Sequence, residues 1–136
     1  MAKDTSKLLR DSTRQIRGVM AFLVLEFVLG ITLTTIINYN PNNHSAVQTG
    51  FVIAHIIVGV GLLAGAIARL AVSLRTKFLQ IPSIIGFGSV IAAFAAGVVA
   101  ANSGSGVAVF LMALFFLVAF ISYGYSLGKV MSVTTC

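Results

Sequence analysis

Glu26 sits in the stretch AFLVLEFVLG and is the one carboxyl group within any long apolar run of this chain. A carboxylate in hydrocarbon is costly, so such a glutamate is expected protonated or paired, and intramembrane acids mark clamps, proton relays or cation sites. It lies about eight residues, roughly 12 Å, inside the first apolar run. At that depth Arg69, Ser122, Tyr123 and Tyr125 are expected from neighbouring runs. Joined to a tyrosine or to Arg69, Glu26 makes a structural clamp; facing water or an ion, it makes a proton or cation site. Glu26, Arg69, Tyr123 and Tyr125 are therefore the expected intramembrane polar site.

His55 comes about four residues into the second run. A lone imidazole in a span usually hydrogen bonds, and metal chemistry asks for a partner. Met112 offers one, about five or six residues into the fourth run from the same side, which sets the two at equal depth on parallel helices. His with Met is an axial pair for haem iron, so this placement permits a b-type haem. No second His stands at that level, and the adjoining loops hold no Arg or Lys for the propionates. His44, in the loop NPNNHS, pairs with His55 as a further metal candidate, but no Asp, Glu or Cys stands nearby to complete a ligand set.

The elements that must position these groups are four long apolar runs. With 136 residues, 58% hydrophobic and 9% charged, the chain is too apolar for a water-soluble domain of its size. The runs cover about residues 18–38, 51–71, 83–101 and 107–127, each near the roughly 20 residues that carry a helix across hydrocarbon. Backbone amides in lipid are satisfied only in helices or closed barrels, and runs this long and uniform exclude barrel strands. The expected fold is all-α, an integral membrane bundle of four transmembrane helices over residues 18–129. A basic tail, 1–17, precedes it and a short tail, 130–136, follows.

All nine basic residues flank one side of the runs. Lys3, Lys7, Arg10, Arg14 and Arg17 precede the first; Arg69, Arg75 and Lys77 mark the turn between second and third; Lys129 follows the fourth. Tyr39 to Gly50 and Asn102 to Gly106 carry no charge, so the positive-inside rule expects both termini in the cytoplasm and the chain in the cell membrane. The five tail residues are spaced four, three, four and three apart, one stripe of a helix suited to anionic headgroups of the inner leaflet. The net charge of +6 needs no nucleic acid to explain it, since that partner asks for a soluble basic module that this chain lacks.

Small residues predict where helices approach. Gly61 and Gly65 on the second run, with Ala92, Ala93, Ala96 and Gly97 on the third, form faces that let backbones come close, so these two helices are expected to meet there. The fourth run is bulky, with Phe110, Phe115, Phe116 and Phe120 suited to filling a groove or meeting lipid and partner subunits. No glycine run ends as a phosphate loop, and both aspartates lie in the tail, so hydrolytic and phosphoryl chemistry are not expected. Three functions fit these residues. A structural or accessory subunit, in a homo-oligomer or a larger membrane assembly, asks least of them. An electron carrier would hold haem b between His55 and Met112. A proton- or cation-coupled transporter would be built around Glu26.

Overall fold

A computed structural model describes the backbone of residues 2–39 and 46–134, and the side chains of residues 10–35 and 46–133. Uninterrupted apolar runs continue as helices beyond the length that hydrocarbon requires. The helices are α1 (Ala2–Tyr39), α2 (Ala46–Thr76), α3 (Gln80–Ser103) and α4 (Gly106–Thr134). All four are long and apolar enough to cross a membrane, the makeup of a multi-pass membrane protein. The basic N-terminal segment is not a separate element, because α1 runs through it and the first span as one helix of 38 residues.

Two tight turns end helices where the local chemistry demands it. Gly104 adopts the left-handed conformation (φ 63°) and donates its N–H to the Ala100 carbonyl at 2.9 Å, which closes α3. Between α2 and α3, Lys77 and Leu79 take φ values of 55° and 56°. Pro82 then falls in the first turn of α3, where a missing N–H costs nothing.

Each helix packs on its neighbours in chain order, α4 closes the ring on α1, and among the described residues the diagonal pairs do not meet. Along α1 and α2 the facing positions are Gly30 with His55, Glu26 with Gly59, Val19 with Gly65 and Ser12 with Arg69. Numbers fall on one helix as they rise on the other, so the two are antiparallel. Gly97 facing Met112 and Gly86 facing Tyr123 make α3 and α4 antiparallel too. The bundle is up-down-up-down. One end holds the α2–α3 turn and the outer ends of α1 and α4, and is called the basic end here; the far end holds the α3–α4 turn.

Which face turns inward follows from small and polar residues, not from hydropathy. The buried seams read Ser12, Ile16, Val19, Leu23 and Glu26 on α1, and Gly59, Leu62, Ala66, Arg69 and Ser73 on α2. On α3 they read Ser83, Gly86, Val90 and Ala93, and on α4 Ala119, Tyr123, Ser126 and Val130. Ser89 on α3 and Ser122 on α4 are buried beside these, and steps of three and four recur along each helix, the 3.5-residue repeat that keeps one seam facing its neighbours along a bundle. Val28, Ile57, Val99 and Phe110 point outward instead. An apolar exterior around a partly polar interior suits lipid as solvent, where small residues let backbones approach and polar groups belong inside.

Candidate functional site

Toward the far end the inward positions become very small: Gly30 on α1, Gly59 on α2, Ala93 and Gly97 on α3. The bundle axis opens there into a cavity of about 610 Å³ lined by all four helices. That size falls within the range of about 300–1,000 Å³ common to small-molecule sites, which also favour the space between helices of a bundle. Its walls are chiefly apolar, with Leu62, Val90, Phe94 and Phe116 among them. Thr34 and Asn102 also line it, but each donates to its own helix, Thr34 to the Gly30 carbonyl and Asn102 to the Val98 carbonyl, both at 2.9 Å. Glu26 and His55 are left as the polar focus.

The structure brings these two together. His55 Nδ1 lies 3.3 Å from Glu26 Oε1, with Glu26 only 5% exposed. The distance is that of an ion pair; Nδ1 has no hydrogen-bond partner among the described residues, and neither has Glu26 Oε2. Buried polar atoms in that state are uncommon and ask for a reason. Chemically the pair has two capacities. An imidazole held at Nδ1 by a carboxylate offers Nε2 as a ligand, the arrangement that orients metal-binding histidines. A buried carboxyl with an unengaged oxygen can also take up a proton or a cation.

Met112 lines the same cavity from α4, its sulfur 3.3 Å from where a Cβ on Gly97 would stand. Because α2 and α4 are diagonal in the ring, His55 and Met112 reach the cavity from opposite corners. Among the described residues no three of His, Cys, Asp and Glu gather as a ligand set for a metal ion. His44 lies outside the described residues, as do the side chains of Lys3 and Lys7.

Arg69 and Tyr123 stand elsewhere. Arg69 Nη1 donates to Ser12 Oγ at 3.3 Å near the basic end. Ten residues of α2 separate Arg69 from Gly59, the position facing Glu26, which is about 15 Å along the helix. Tyr123 lies within electrostatic range of Arg69 and sets its ring against Gly86. Tyr125 turns outward, 56% exposed, with the Lys129 ammonium 5.8 Å from its ring centroid. The four residues expected at one polar site thus divide into two layers and a surface residue. The cause is register: Gly59 is the α2 position that faces Glu26, and Arg69, ten residues farther toward the basic end, meets Ser12.

The small-residue faces are also partnered differently. Gly61 lies against the Phe22 ring and Gly65 against Val19, so both meet α1 and not α3. On α3, Ala93 is buried, Ala92 and Ala96 are half-buried, and Gly97 faces α4 through Met112. Arg10, Arg14 and Arg17 are exposed on α1, away from the seam. Ser12, Gly59, Ser73 and Ser83 escaped notice in the sequence, although Ser12, Gly59 and Ser73 fall on the same three-and-four repeat as Glu26 and Arg69. No protein-family model, curated protein or solved structure matches this chain.

Proposed function

We propose that this protein is a membrane-embedded electron carrier holding a b-type haem in the far-end cavity, with His55 and Met112 as axial ligands. One observation carries the reading: His55, 3.3 Å from the Glu26 carboxyl, shares an apolar cavity of about 610 Å³ with Met112. The apolar porphyrin plane suits walls containing Phe94 and Phe116, while the two propionates, for which no Arg or Lys lines the cavity, would have to face out of it; His55 and Met112 would hold the iron. A turn of the imidazole that lets Nδ1–H donate to the Glu26 carboxylate would fix the ring and raise the basicity of Nε2. Haem iron supplies one-electron chemistry; the bundle supplies orientation and a setting of low dielectric. Residence in the cell membrane with cytoplasmic termini is part of the proposal, supported by nine basic residues on one side of the apolar runs. The exposed Arg10, Arg14 and Arg17 would then meet anionic headgroups.

Titrating purified apoprotein with haemin tests this reading. A Soret band that saturates with wild type, weakens with Met112→Ala and is lost with His55→Ala is expected. A haemin spectrum unaltered by the wild-type protein would refute it.

A second reading rests on Glu26. Its Oε2 is buried without a partner while the residue lines the cavity, a placement that suits the proton or cation site of a coupled transporter. Proton-driven uptake into liposomes that Glu26→Gln abolishes would favour it. A structural or accessory subunit needs only a clamp and a packed bundle; the cavity that Glu26, His55 and Met112 share is what favours the haem reading over it.

A further inference from the structure

A second polar layer lies near the basic end and shares no residue with the cavity. Its centre is Arg69, a guanidinium only 1% exposed. A charge taken out of water is costly unless it is paired and fully hydrogen bonded. Nη1 has Ser12, but Nε and Nη2 have no hydrogen-bond partner among the described residues, and no described carboxylate lies within ion-pair range. Glu26 is too distant, and Asp11 is exposed on the outside of α1.

The two unpartnered nitrogens form one edge of the guanidinium. Nε–H and Nη2–H point the same way and make the fork that takes two oxygens of one anion. Further donors stand on the same seams. Ser73 follows Arg69 by one turn of α2, and Ser83 lies in the first turn of α3; both are fully buried, and neither hydroxyl has a partner among the described residues. The Tyr123 hydroxyl from α4 is in the same condition, within electrostatic range of Arg69. Each hydroxyl can donate one hydrogen bond. Arg75 and Lys77 stand close along the chain, so the field at this end favours anions.

We propose that this layer is an oxyanion site for a phosphate group, gripped by the Nε and Nη2 fork of Arg69 and completed by the hydroxyls of Ser73, Ser83 and Tyr123. Donors arriving from three helices suit tetrahedral oxygens better than the two coplanar oxygens of a carboxylate. The phosphate comes either from a phospholipid headgroup or from free inorganic phosphate. Bound there, it ties α2, α3 and α4 together at the turn that joins the two halves of the bundle.

The test uses the full chain, stripped of lipid, in dodecyl maltoside, a detergent that carries no phosphate. In one arm the melting temperature is followed as inorganic phosphate replaces chloride at matched ionic strength. In the other, phosphatidylglycerol is added to the micelles, and native mass spectrometry reads the lipid retained. A saturable rise with phosphate assigns the site to the free anion; a rise with retained phosphatidylglycerol, and no effect of phosphate, assigns it to the headgroup. Arg69→Lys keeps the charge but not the fork, and is expected to weaken whichever ligand binds by about tenfold or more. Ser73→Ala with Ser83→Ala, which leaves Arg69 in place, is expected to weaken it by about threefold or more. No rise in either arm with wild-type protein overturns the proposal. So does undiminished binding by Arg69→Lys or, should that variant not fold, by the double serine variant.

Discussion

The carboxyl of Glu26 on α1 lies in the space that a side chain on Gly59 of α2 would need, since a Cβ built there would lie 2.9 Å from Oε1. Gly59 is one turn from His55 on the same face, so the missing side chain is what lets the carboxyl come within 3.3 Å of the imidazole. Gly59→Ala should push the carboxyl off His55 and also press on Phe94, whose ring would be 3.2 Å from the new methyl. Haem affinity is expected to fall while the bundle stays folded, because the atom in the way is the free end of a flexible side chain. Haemin titration beside a melting curve separates the two effects.

Glu26→Gln keeps the shape of the side chain and removes its capacity to carry charge. Loss of a carboxylate behind a ligating histidine typically costs about 10–100-fold in affinity, and that loss is expected here by haemin titration. Full haem affinity in this variant, together with loss of proton-coupled uptake in liposomes, would instead support the transport reading.

Gly86→Ala acts at the other polar layer. A Cβ there would stand 2.8 and 2.9 Å from carbons of the Tyr123 ring, a rigid group fully buried among α3 and α4. Overpacking of this kind costs about 1–3 kcal/mol, read as a lower melting temperature in detergent. Gly88→Ala is the control: nothing lies within 4 Å of its Cβ, and alanine is the better helix former, so it should be neutral or slightly stabilising.

Hydropathy made the four helices legible, together with their topology as hairpins, because spans of this length stand out against short polar turns. The rotation of each helix was harder to see. Outward-facing Val28 and core-facing Leu23 are equally apolar, so no hydrophobic stripe separates outside from inside. The period survives only in residues that lipid excludes, and read that way Ser12, Glu26, Gly59, Arg69 and Ser73 mark the seams. Depth was the second difficulty. The apolar runs do not fix the register of α1 on α2, which sets Glu26 against Gly59 and leaves Arg69, ten residues on, to meet Ser12. His55 and Met112, read at equal depth from the far-end turns, both line the cavity.

Topology can be read with cysteines at the two short turns in a Cys136→Ser background. Thr76 and Ser103 are both exposed, at opposite ends of the bundle. A membrane-impermeant maleimide applied to intact cells is expected to label Ser103→Cys, and to reach Thr76→Cys only after the membrane is opened. The reverse pattern would place the basic end outside.

The central claim is that His55 and Met112 bind haem beside Glu26, and the most direct measurement is an absorption spectrum of protein purified in mild detergent from cells supplied with haem. Oxidised and dithionite-reduced spectra are compared for wild type, His55→Ala and Met112→Ala. The account predicts a sharp reduced α-band in wild type, displaced or weakened without Met112 and absent without His55. A flat spectrum from wild-type protein, or an α-band unchanged in His55→Ala, would contradict it.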